Sequence, residues 1–145
     1  GALRKCLFVS TNVSFAVKRL VYEGLILAIL LYGAETWCLT EKILNKLRVF
    51  HARCARAMCR VNRLHTRLHR IRTVELLTCI NLHYIETYAA KRQLRWLGHV
   101  AIMGHVRLPR NMISSWVRHK RPRGAPQFTY GRGIYKSLQK TTGQR

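Results

Sequence analysis

The sequence predicts an all-α protein: a small bundle of three to five helices carrying an extended basic C-terminal tail. Three observations carry this. Apolar residues recur at steps of four and three through residues 41–61, the spacing of one helix face. Cap-competent residues precede the apolar segments, among them Ser14, Thr40 and Thr73. Helix breakers then gather at the end, with Pro109, Pro122, Gly124, Pro126, Gly131 and Gly133 after Gly104. With 145 residues, 48% of them hydrophobic, a folded chain buries roughly 68% of its unfolded surface. Residues 1–104 are therefore read as the bundle and 105–145 as the tail.

The first helix is expected over residues 13–32. Ser10, Asn12 and Ser14 all suit its N-cap, and Gly33 suits the C′ position. Its second half, within LILAILLYGA at 25–34, is apolar all round, which implies burial on several sides. The uncharged run spans only 11 residues, 24–34, between Glu23 and Glu35. A membrane-spanning helix needs about 17–25. A buried core helix is the favoured reading and membrane docking the alternative, with no full span. Trp37 and Cys38 fall in a short connection.

The second helix is expected from Glu41 to about Val61, capped by Thr40. Ile43, Leu47, Phe50, Cys54, Ala57 and Val61 form its apolar stripe. A short helix follows from Thr73, itself a cap candidate, to about Ile80, with Glu75 in the first turn. A longer one covers about Tyr84 to Met103. There Ala90, Leu94, Leu97 and Ala101 share a face.

Charge narrows the function. Lys and Arg total 27 against five acids, a net charge of +22. The acids are Glu23, Glu35, Glu41, Glu75 and Glu86; there is no Asp. Polymerases and two-metal nucleases hold Mg²⁺ with Asp, often in pairs, so such chemistry is not expected of this chain. No enzymatic activity, cofactor or metal is assigned. The expected partner is a polyanion, nucleic acid before an anionic membrane surface.

Basic residues Lys42, Lys46, Arg53, Arg56, Arg60 and Arg63 form a second stripe on the 41–61 helix. It lies roughly 130° from the apolar one. If the helix continues, Arg67 and Arg70 prolong that ridge. A merely solvated face mixes signs, yet no acid lies between Glu41 and Glu75. Lys91, Arg92 and Arg95 make a further cationic group. The candidate nucleic-acid contacts are thus Lys46, Arg53, Arg56, Arg60, Arg63, Arg67, Arg70, Lys91, Arg92 and Arg95. The tail adds Arg107, Arg110, Arg118, Lys120, Arg121, Arg123, Arg132, Lys136, Lys140 and Arg145. Order in such a tail points to a partner surface. Trp96, Tyr84 and Tyr88 stand among basic residues as base-stacking platforms do, with core packing the favoured role for Trp96.

Five cysteines, at 6, 38, 54, 59 and 79, contain no C-x-x-C. Reduced, mostly buried thiols are expected. Cys54, Cys59, His65 and His69 have a spacing unlike known zinc fingers, whose central gap is near 12 residues. Cys54 with His51 could form a nucleophile pair, but no third orienting group is evident. His99 is read as a core histidine before a catalytic one.

Several blocks resemble one family: GALRKCLF at 1–8, KRLVYEGLILAILLYGAETWCLT at 18–40, FHARCARAM at 50–58, RQLRWLGHV at 92–100, RLPR at 107–110 and KRPRGAPQFTYGR at 120–132. In order and spacing they resemble the C-terminal region, the thumb and following linker, of non-LTR (LINE-type) retrotransposon reverse transcriptases. The resemblance implies a helical thumb that grips a template–primer duplex, with the catalytic aspartates in the palm upstream. One departure is visible: Ala101 and Ile102 precede Met103, where members usually carry Arg. An active retroelement would work in the nucleus. The alternative is a recruited structural subunit, packed with other proteins in a larger ribonucleoprotein or organelle membrane complex.

Overall fold

The computed structural model describes residues 4–114, 124 and 130–142. Among these there are eight α-helices and no strand. They are α1 Phe15–Val21, α2 Leu27–Leu30, α3 Glu41–Met58, α4 Arg63–Leu68, α5 Thr73–Ile80, α6 Ile85–Ile102, α7 Leu108–Ser114 and α8 Tyr130–Thr142. The all-α class holds. The count exceeds the expected three to five because the first segment is split and α4, α7 and α8 were not anticipated.

The chain divides into two compact units. One holds Gly1–Tyr32 with Glu41–Tyr88, the other Gly33–Thr40 with Ala89–Arg145. The division falls inside α6, whereas the composition shift at 104/105 lies within the second unit.

In the first unit, α3 packs on α5 and on a short π-helical turn at Arg4–Phe8, and α1 packs on α5. Ser14 caps α1, its Oγ accepting from the Val17 amide. A π-helical turn, Tyr22–Ile26, joins α1 to α2. It explains the burial pattern. The buried residues are Lys18, Tyr22, Leu27 and Leu31, at steps of four, five and four. The wide π step places Leu27, not Ile26, on the packed side. The expected burial on several sides is corrected: Leu20, Leu25, Ile29 and Tyr32 are exposed. Gly33 takes the left-handed conformation, φ 69°, as expected of a residue ending a helix.

Two buried polar groups organise this unit. His51 Nε2 meets the His83 carbonyl at 3.0 Å, and Nδ1 meets the Tyr22 hydroxyl at 2.7 Å. A carbonyl only accepts, so Nε2 carries the proton and Tyr22 donates to Nδ1. Lys18 donates to the Ser10 carbonyl at 2.7 Å and, at 3.5 Å, to that of Met58. Burial pushes the Lys18 ammonium below its ordinary range, and the Arg60 charge lowers it further.

The packed face of α3 also differs from the expected one. Leu47, His51, Ala55, Ala57 and Met58 are buried, so Leu47 and Ala57 of the expected stripe hold, while Ile43 and Phe50 are 38% and 37% exposed. The stripe is rotated by roughly 50° at 100° per residue. The cause is His51, which is polar in any periodicity count yet sits at the centre of the packed face.

In the second unit, Gln93 anchors the backbone of the 33–40 segment. Its Nε2 donates to the carbonyls of Ala34 at 3.1 Å and Trp37 at 2.9 Å. On α6, Ala89, Ala90, Gln93 and Val100 are buried and Ala101 is exposed, so this face too is turned from the expected one. His99 is exposed, not a core residue. The tail is not simply extended. α8 docks on its own unit, with Ile134 buried and the Tyr130 hydroxyl donating to the Glu35 carbonyl at 2.6 Å. Trp96 meets Tyr130 edge to face, centroids 6.3 Å apart. The order of α8 therefore has an intramolecular source. Arg118, Lys120, Arg121, Arg123 and Arg145 lie outside the described residues. No helix among the described residues is long and apolar enough to cross a membrane.

Candidate nucleic-acid interface

The basic ridge does not run along one helix. α3 ends at Met58, and Arg60 adopts the left-handed conformation at φ 57°. The Val61 amide returns to the Arg56 carbonyl at 3.0 Å and the Arg60 amide to that of Ala57 at 3.2 Å, a Schellman cap. Asn62 then starts α4, its Oδ1 accepting from the His65 amide at 2.6 Å. The pattern repeats at once. Arg70 has φ 50°, with Ile71 N–H on the Thr66 carbonyl at 3.0 Å and Arg70 N–H on that of Arg67 at 3.4 Å. A third such cap at Asn81, φ 58°, ends α5. Thr73 is the first residue of α5 and not its cap, which is Arg72 with no side-chain capping bond.

These two reversals gather arginines that a straight ridge would spread out. Arg56 from α3 with Arg63 and Arg67 from α4 line one cleft of about 550 Å³. Thr66 and Thr73 add hydroxyls, and Leu64, Ile71 and Leu76 supply apolar lining. Arg63 and Arg67 are four apart, hence on one side of α4. The turn at Arg60 sets that helix beside Arg56, and the turn at Arg70 leads into α5, which adds Thr73 and Leu76 to the lining.

The other candidates are placed differently. Lys46 and Arg53 stand exposed on α3, away from its packed face. Arg60 and Arg70 are exposed at the caps, and the continuous-ridge expectation for Arg67 and Arg70 is corrected by the chain reversals. Lys91, Arg92 and Arg95 belong to the second unit. Lys91 and Arg95 are exposed there, while Arg92 pairs with Glu35 at 3.8 Å.

Four of the five carboxylates, Glu23, Glu35, Glu41 and Glu86, are engaged elsewhere, and Glu75 is exposed on α5 between the lining residues Thr73 and Leu76. Arg48 holds both Glu41 and Glu86 and reaches Asn45 Oδ1 at 2.7 Å. Its guanidinium is held above its ordinary range, first by the Glu41 bond and then by that of Glu86. Glu23 accepts from the Tyr88 hydroxyl at 2.6 Å and pairs with Arg19 at 3.9 Å. Among the described residues no carboxylate lies in salt-bridge range of Arg56, Arg63 or Arg67.

The remaining candidates resolve by contact. Tyr88 is committed to Glu23 and to the His83 amide at 3.3 Å, whereas Tyr84 is exposed. His65 and His69 face each other with ring centroids 4.1 Å apart. Cys59 lies toward the Leu76 carbonyl at 3.9 Å, so Cys54, Cys59, His65 and His69 do not converge. Among the described residues no group of three metal-ligating side chains is found. His51 is occupied by Tyr22 and His83 and gives Cys54 no free base. The cysteines are not mostly buried: Cys6 and Cys79 are exposed and the others half-buried.

Sequence reasoning missed Lys18, Arg48 and Gln93 as anchors of the fold, and it missed the cleft. Asn62 after an apolar Val61 was the one local signal for the break; neither Gly nor Pro marks it. No protein-family model, curated protein or solved structure matches the chain.

Proposed function

We propose that this chain is a non-catalytic nucleic-acid-binding module whose Arg56–Arg63–Arg67 cleft takes backbone phosphate. The observation that carries the reading is this convergence of three guanidiniums, none of them ion-paired with a carboxylate. Guanidinium forks match phosphate oxygens, and phosphate contacts position a nucleic acid without reading its sequence. The net charge of +22 supplies long-range attraction. The resemblance to the thumb and linker of LINE-type reverse transcriptases supports the same reading, with polymerase chemistry left to a palm upstream. The absence of Asp accords with that division of labour.

The test is a titration of the purified chain with RNA and DNA at several salt concentrations. If about five phosphates are neutralised, log K falls with log salt at a slope near −4 to −5. Changing Arg63 and Arg67 to Ala makes the slope shallower by roughly 1.5–2. A flat salt dependence overturns the proposal.

A second reading, a structural subunit of a larger assembly, is favoured by one observation. Leu20, Leu25, Ile29 and Tyr32 leave an apolar stripe open along α1 and α2. Its test is co-purification: recovery in one stable stoichiometric complex, with nucleic-acid binding absent, favours this reading over the first.

A further inference from the structure

We infer that the arginine cleft receives a single nucleotide of an unpaired strand, its phosphate on the guanidiniums and its base or ribose on the apolar lining. The inference rests on the proposed phosphate-binding role and deepens it. The cleft is concave, and its volume of about 550 Å³ falls within the roughly 300–1,000 Å³ of small-ligand sites. A surface that tracks duplex phosphates needs only an open cationic face. Here cations and aliphatic side chains line the same cleft. Leu76 is buried against the core, Ile71 is half-buried and Leu64 is 67% exposed. In a duplex the bases are stacked inside, so only phosphates could enter and the aliphatic lining would stay wet. An unpaired nucleotide can turn its base or ribose inward, cover Leu64 and keep its phosphate at the rim. Guanidinium planes also offer faces on which an unpaired base stacks. The cleft holds no aromatic side chain, so contact with the base is shape- and area-driven and tolerant of sequence.

The experiment uses the full 145-residue chain and labelled oligonucleotides of one length at fixed salt. The probes are single-stranded RNA, single-stranded DNA, the corresponding duplexes, and a single strand with abasic positions. The expected result is about ten-fold tighter binding of single strands than of duplexes, most of it lost in the abasic probe. Leu64→Ser should weaken single-strand binding several-fold and duplex binding by clearly less. Because Leu64 is exposed, this variant should keep the helical signature and melting temperature of the parent. Salt-dependent but equal binding of single strand, duplex and abasic strand overturns the inference and leaves the phosphate-binding role standing. Absence of salt-dependent binding to every probe overturns both. An unchanged single-strand affinity in folded Leu64→Ser also overturns the inference.

Discussion

The Tyr22 hydroxyl meets Nδ1 of His51 at 2.7 Å, and both side chains are buried. The contact joins residues 29 positions apart and sets the packed face of α3. With Nε2 donating to the His83 carbonyl, His51 is saturated only while neutral. Burial holds its pKa below the ordinary histidine value. The unfolded chain therefore takes up a proton at higher pH than the folded one. The stabilisation is present in full above about pH 6.5 and is lost as pH falls toward the folded-state pKa. Urea unfolding at pH 8 and pH 5.5 should show the lower midpoint at pH 5.5, and a His51→Gln variant should show a smaller difference between the two.

Tyr22→Phe removes the donor to His51 and leaves Nδ1 buried without a partner. The expected cost is about 1–3 kcal/mol, read from the same unfolding curves at pH 8. A cost near zero would mean that water replaces the hydroxyl.

Met58→Ala should cost about 2–5 kcal/mol, because Met58 is fully buried at the end of α3. Phe50→Ala should cost only roughly 1–2 kcal/mol, since Phe50 is more than a third exposed. The order matters more than either value. If Phe50 proves the costlier change, the rotated packing of α3 is wrong.

Arg60 and Arg70 hold left-handed backbones that glycine adopts with less strain. Arg60→Gly also removes a positive charge that acts on buried Lys18. Each glycine variant should gain about 0.5–1 kcal/mol of stability and bind nucleic acid more weakly. Thermal melts and salt titrations on the same samples separate the two effects. Loss of stability in both variants would assign the arginine side chains a packing role.

Burial, and then neighbouring Cys79, pushes the Cys59 thiol up to about 11. Thiolate is the reactive form. At pH 8, iodoacetamide should modify exposed Cys6 and Cys79 first and Cys59 much later. The Cys59 rate should climb as pH approaches 11, followed by mass spectrometry of digested protein.

Much of the helical layout was legible because helix boundaries follow short-range rules. Ser14 caps where a serine was expected, Gly33 turns left-handed, and α5 occupies Thr73–Ile80 as its pattern predicts. The packed faces were less legible. A periodicity count scores His51, Lys18 and Gln93 as polar, yet each is buried with partners supplied from elsewhere in the chain. Burial on several sides was expected of the segment after Val21 because it is apolar all round, yet Leu25, Ile29 and Tyr32 are exposed; apolar character alone does not say which side a neighbour covers.

Apolar periodicity and cap residues determined the helical class, and composition the cationic character and the lack of the aspartates on which metal-dependent phosphoryl chemistry relies. Helix propensity and charge are summed locally, so they survive without knowledge of the fold. Tertiary structure decided which arginines meet. Arg56, Arg63 and Arg67 converge because the chain turns at Arg60, and a second turn at Arg70 leads α5 into the same cleft, both in a conformation arginine disfavours. Local preference alone continues the helix through both positions and separates those side chains. The packing of α3 on α5 and the backbone bonds that close each cap accompany the reversals, and those contacts exist only in the folded chain.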